Sequence, residues 1–208
     1  MSSEDLTDIV IEALEVFLNH ILYVRNLYPE QIFQKRRVYN APVYVSIFPP
    51  LNAYIHSVLR AARELQQRGE LQSVLLQFYH DELPLNECFT FEIKKFQPPA
   101  EAQGKEEAQS TLLWDDKFFI DFEQQLRNSL YKLVERLNPL AKLPKGAKFK
   151  VALNTTQEAF VKFSHSSANQ GFPWLCDGLK KEAGKRVISL LPLTRLDSIG
   201  LKLNLELS

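Results

Sequence analysis

Residues 23–43 read YVRNLYPEQIFQKRRVYNAPV. The stretch leaves a long apolar run, crosses a Tyr-Pro pair and enters two β-prone runs, residues 32–34 and 38–47, set around Lys35-Arg36-Arg37. Upstream, residues 8–28 carry Glu12, Glu15, Asn19 and Asn26 at spacings of three, four and seven, which is one narrow polar stripe on a helix. Val10, Ile11, Leu14, Phe17, Leu18, Ile21, Leu22, Val24 and Leu27 fill the rest of the circumference. A helix apolar on most sides is buried on most sides, so this is the expected central helix. Tyr28-Pro29 is predicted to end it, because proline pushes the residue before it out of the helical region. Arg25 falls in the last turn, where a cation complements the helix dipole; a buried interface role is the alternative. Lys35-Arg36-Arg37 reads as a solvated hairpin tip, with a nucleic-acid contact or import signal as the alternative.

Downstream, Pro49-Pro50 opens a second helix with a one-sided stripe of Leu51, Tyr54, Ile55, Val58, Leu59, Ala62 and Leu65, and Gly69 supplies its stop. Residues 74–79 and 85–96 form a predicted hairpin around His80-Asp81-Glu82-Leu83-Pro84. In its second strand Leu85, Phe89, Phe91 and Ile93 share one face, and Asn86, Thr90, Glu92 and Lys94 the other. Residues 97–111 read as an exposed polar loop. A third helix over about 114–137 buries Trp114, Phe118, Phe122, Leu126, Leu130, Leu133 and Leu137. Residues 148–155 form a strand with Phe149, Val151 and Leu153 inward. Three helices and an antiparallel sheet predict a two-layer α+β domain. Residues 160–208 are predicted to hold no helix, only short strands at 187–193 and 201–207 added to a core already complete by about residue 156.

The 208 residues are 45% hydrophobic and 24% charged, the balance of a soluble globular protein. Lys+Arg and Asp+Glu both number 25, so there is no basic surplus and no direct DNA binding is expected. Cys88 and Cys176 make no disulfide framework. The N-terminus lacks a secretory layout, and the apolar region at 9–24 is broken by Glu12, Glu15, Asn19 and His20, so no membrane span is expected. Gly-rich phosphate loops and a G-x-S-x-G elbow are absent. His20, His56, His80 and His165 lie far apart, so no catalytic residue, metal or cofactor is expected. An enzyme using His80, Asp81 and Glu82 is the rival from another class, although three consecutive turn residues read more simply as a solvated loop. Arg127, in EQQLRNSLYK, is either a solvated helix residue or an interface fork. Trp174, in Phe172-Pro173-Trp174-Leu175, is either a plug over one end of the sheet or an aromatic anchor for a bound peptide.

The blocks ILYVRNLYPEQIFQKRRVYNAPV, PPLNAYI, FTFEI, FPWL and LLPL, in this order, resemble the HORMA domain, and within it the small non-catalytic subunits of DNA polymerase zeta. The resemblance covers nearly the whole chain and weakens at 97–112 and 156–170. It implies one HORMA domain over 1–208, with three helices on a mostly antiparallel sheet and a C-terminal safety belt at about 160–208. Such a belt closes over a partner's short linear motif, held as an added strand, and closure slows release. The resemblance further implies a nuclear, non-catalytic adaptor of translesion synthesis. Its partners would be the catalytic subunit of polymerase zeta, a scaffold deoxycytidyl-transferase polymerase and a second HORMA domain. Tyr54 and Trp174 fall on motif-contacting positions, with Tyr28 and Leu175 as neighbours. Leu190, Asn204 and Glu206 fall on the scaffold-polymerase surface, and Arg127 on the dimerisation helix. Glu206 departs from the family's vertebrate-type pattern, which has an aromatic there. The alternative within the family is a spindle-checkpoint-type protein that binds a ubiquitin-ligase activator.

Overall fold

A computed structural model describes residues 3–94, 107–164 and 189–207. Helix α1 (Ser3–Val24) crosses the core, with Leu14, Phe17, Leu18, Ile21 and Leu22 almost wholly buried. It ends before Tyr28-Pro29. Asn26 adopts φ +52°, its N–H donates to the Tyr23 carbonyl at 3.0 Å, and the Leu27 N–H to that of Leu22 at 3.3 Å. This paired closure usually places glycine in the left-handed position; here asparagine takes it, a signal weaker than the proline three residues on. Asn19, expected on a polar stripe, is buried instead: its Oδ1 accepts the Ser46 N–H at 3.0 Å and ties α1 to the end of β2 (Ala41–Ser46).

Strand β1 (Phe33–Val38) pairs with β2 as a separate two-stranded ribbon. Lys35-Arg36-Arg37 lies within β1 and not at the tip. The turn is Tyr39-Asn40, whose φ values of 44° and 53° are those of a tight hairpin turn. Helix α2 (Pro49–Gln67) buries the expected stripe except Tyr54, which is half-buried, and closes on Gly69 at φ +68°.

Strands β3 (Leu71–Tyr79), β4 (Asn86–Ile93), β5 (Lys148–Thr155), β6 (Ser189–Leu196) and β7 (Leu201–Leu207) form one sheet in the order β5-β3-β4-β7-β6. All its pairings are antiparallel. Helix α3 (Glu107–Leu137) begins about seven residues before its expected start, inside the stretch read as loop. A fourth helix, α4 (Gln157–Ser164), was not expected; the Thr156 hydroxyl accepts the Ala159 N–H at 3.2 Å as its N-cap, and Ala159 and Phe163 are buried.

The core does not stop at residue 156. Leu193, Leu196, Ile199, Leu201, Leu203 and Leu205 are all buried, and β7 lies hydrogen-bonded between β4 and β6. The expectation of strands added to a finished core is replaced by strands that complete it. The short apolar runs looked weak because each supplies only alternate residues to the interior.

His20 is 4% exposed, with its ring 6.1 Å from that of Tyr44 on β2 and neither ring nitrogen hydrogen-bonded. Burial lowers its pKa from 6.5 to about 4. Between these values the unfolded chain takes up a proton that the folded chain refuses. Stability is therefore full above about pH 6.5 and falls as pH drops toward about 4, by about 3 kcal/mol in all. Urea unfolding at about pH 7 and about pH 5 is expected to differ by about 2 kcal/mol, and His20→Leu should lose most of that difference. An equal difference in the variant would place the titration elsewhere.

Candidate functional site

The two edges of the sheet are unlike. On β6, Pro192 carries no N–H, and the register shifts between Pro192 and Thr194. A proline and a bulge blunt an edge against further pairing. The opposite edge, β5, is eight residues long, has no proline and no internal register shift from Lys148 to Asn154, and among the described residues no strand lies on its outer side.

An aromatic trio stands beside that edge. The Phe149 ring on β5 meets Tyr54 of α2 edge-on at 5.5 Å and Tyr28, in the segment after α1, at 6.2 Å. The Tyr54 hydroxyl accepts the main-chain N–H of Val151 at 3.0 Å. Both tyrosines are half-buried, and burial raises the pKa of each, so both hydroxyls are protonated at neutral pH. Tyr28 and Tyr54 thus both stand against one ring. Phe149 joins them, although its alternation pointed only to the core. Trp174 and Leu175 lie outside the described residues.

The segment carrying Tyr28 is pinned from behind. Arg25 is 5% exposed and makes a bidentate pair with Glu87 of β4, Nη2 to Oε1 at 2.7 Å and Nε to Oε2 at 3.0 Å. Its Nη2 also donates to the Ala141 carbonyl at 2.7 Å. Burial pushes the Glu87 carboxyl up, and the Arg25 guanidinium pulls it back. The dipole reading of Arg25 gives way to the buried one. The visible signal was a charged residue, Glu87, two positions before Phe89 on a face otherwise apolar.

On the face of the sheet away from the helices, Leu190 is paired with Glu206, and Pro192 with Asn204, across β6 and β7. Positions 190, 204 and 206, which the family resemblance groups together, therefore share one sheet face. Asn204 is only 2% exposed and donates from Nδ2 to Glu92 at 2.8 Å, whereas Glu206 is half-buried. On α3, Arg127 is exposed and donates to the Asn40 carbonyl at 3.3 Å, while Glu123 accepts both 2.9 Å bonds from the Asn40 amide. Ile120 and Tyr131, 64% and 66% exposed, lie on the same stripe as Arg127.

The His80 turn is built for structure. The His80 Nδ1 accepts the N–H groups of Glu82 and Leu83, each at 3.1 Å, and Nε2 lies 3.3 Å from the Lys145 carbonyl. Asp81 pairs with Lys148. Both ring nitrogens are therefore engaged with main chain, and among the described residues no three His, Cys, Asp or Glu side chains could hold a metal.

The HORMA domain profile matches residues 7–168. The chain belongs to the HORMA domain family. It is 45% identical over 206 residues to the protein named DNA polymerase zeta subunit 2 of Drosophila melanogaster, covering 98% of each chain. It is 34% identical over 200 residues to the zebrafish (Danio rerio) protein named mitotic spindle assembly checkpoint protein MAD2B, covering 96% of this chain and 89% of that one. Among solved HORMA structures, that of C. elegans HTP-1 bound to the HIM-3 closure motif superposes with a TM-score of 0.63 at 17% identity, covering 100% of this chain and 93% of that one.

Proposed function

We propose that this HORMA domain is a non-catalytic adaptor that captures a short segment of a partner as an added strand on the outer side of β5. The observation that carries the reading is the asymmetry of the sheet. One edge is blunted by Pro192 and a bulge; the other is long, unbroken and flanked by Tyr28, Tyr54 and Phe149. Main-chain bonds along such an edge supply affinity, and the aromatic wall supplies selectivity. Likeness to a polymerase-zeta subunit along 98% of both chains supports a role as accessory subunit of that polymerase in translesion synthesis, in the nucleus, with the catalytic subunit as the captured partner. The shared face of Leu190, Asn204 and Glu206 is then the bridge to a scaffold polymerase, altered by the charge at Glu206.

Peptides from the polymerase catalytic subunit are expected to bind the full chain in calorimetry. Trp174→Ala and Tyr54→Ala should each weaken them by at least about 2 kcal/mol, about thirtyfold, with the fold retained. Folded variants of undiminished affinity would remove both residues from the site. A relative carrying a spindle-checkpoint name keeps the checkpoint reading as the second one. Tighter capture of a ubiquitin-ligase activator's segment than of the polymerase's would favour it.

The exposed stripe of Ile120, Arg127 and Tyr131 is proposed to meet a second HORMA domain. Sedimentation equilibrium is expected to show association of the wild-type chain and its loss in Arg127→Glu. A monomeric wild type, or a variant that associates equally well, excludes this helix as the interface.

A further inference from the structure

The middle rung of the capturing edge is already occupied. In an antiparallel pair, residues whose N–H and C=O face the neighbour alternate with residues whose groups face away. The Val151 N–H goes to the Tyr54 hydroxyl, although Val151 stands opposite Leu76 of β3, so Val151 is one of the outward-facing residues. By the same alternation Phe149 and Leu153 face outward on either side of it. A strand added to this edge would set a carbonyl oxygen about 2.9 Å from each outward N–H. At Val151 the Tyr54 hydroxyl oxygen already sits at 3.0 Å, and the edge-on contact with Phe149 holds the ring in place.

We propose that the Tyr54 hydroxyl interrupts the ladder of the captured segment at Val151, and so selects a segment whose own main chain breaks there over a continuous β-strand. This rests on the strand-capture reading above and adds a main-chain role to a residue until now treated as an aromatic contact. Two oxygens cannot share the place, so the segment bows away at that rung and forms short ladders at Phe149 and Leu153. A regular strand would meet the hydroxyl where its carbonyl needs the Val151 N–H, and, held off at that rung, its own N–H would fall short of the Val151 carbonyl, which is costly. A residue without an N–H, or a bulge, avoids part of that cost.

The test uses the tightest peptide selected from a randomised twelve-residue phage library against the full chain. Each residue is replaced in turn by its N-methyl form, which deletes one N–H. Wild-type binding is expected to fall about tenfold at two positions four residues apart, and by less than about twofold at the position midway between them. In Tyr54→Leu, with the rung cleared, the midway position should become as sensitive as its neighbours. In the wild-type complex, the amide resonances of Phe149 and Leu153 should move on binding and that of Val151 should hardly move. Sensitivity at every second position in wild type, or a Val151 amide that shifts like its neighbours, overturns the inference and leaves strand capture standing. A library that yields no binder to this edge removes strand capture, and this inference with it.

Discussion

Arg25→Ala is expected to cost about 3–5 kcal/mol of folding stability, measured by urea unfolding at neutral pH. The size follows from what is left behind and not from what is lost. Glu87 is 8% exposed, and without the guanidinium its carboxylate stays buried with no counter-charge. It then either protonates, at an energetic cost near neutral pH, or draws water into the core. The Ala141 carbonyl loses its donor as well. Replacing both partners, as in Arg25→Met with Glu87→Leu, should recover most of the loss, because two apolar groups of similar volume leave no orphaned charge. A single-variant cost under about 1 kcal/mol would mean that the pair is not buried as described. Because Arg25 anchors the segment that leads into Tyr28, the single variant should also weaken peptide capture.

Leu203→Ala is expected to cost about 2–5 kcal/mol, the range for emptying a packed site in a core. Leu203 is 1% exposed and sits in register with Phe91 of β4. Its neighbours along the strand, Leu201 and Leu205, are equally buried. At about 1.5–3 kcal/mol for each buried aliphatic side chain, detaching β6 and β7 together exposes on the order of 10 kcal/mol of burial. Amides of β7 are accordingly expected to exchange with deuterium as slowly as those of β4, with or without a captured peptide. Fast exchange in β7 alone, together with a small effect of Leu203→Ala, would restore the picture of loosely added strands.

Local chemistry made much of this fold readable in the chain. The α2 stripe, the Gly69 stop, the β3–β4 hairpin and the strand at 201–207 follow from periods of 3.6 and 2 and from turn residues, and the structure has all four, with β3 beginning three residues earlier and β4 ending three residues sooner than the periods put them. Errors arose where a long-range partner overrode the local signal. Arg25 looked like a helix-end cation because Glu87, 62 residues away, is invisible to a local reading. Lys35-Arg36-Arg37 looked like a tip because all three are exposed, and what makes them a strand is main-chain pairing with Pro42, Val43 and Tyr44 of β2. Tyr54 and Tyr28 are candidates that family resemblance names, whereas the Phe149 wall and the occupied Val151 rung beside them are visible only in the structure. Which strand ends a sheet, and which side of it faces out, depends on pairings among residues far apart in the chain.

The place of β7 between β4 and β6 also governs how the domain is made. Asn204 and Glu92, bonded across β4 and β7, are 112 residues apart in the chain. Closing so long a segment is slow relative to forming local contacts, and topologies dominated by such pairings fold slowly. During synthesis the outer edge of β4 must wait for β7 to emerge from the ribosome. Until then β4 presents a bare edge to the cell, of the kind that recruits chaperones or other nascent chains. A chain cut short before Leu201 is therefore an unfinished core prone to aggregate, and not a clamp held open.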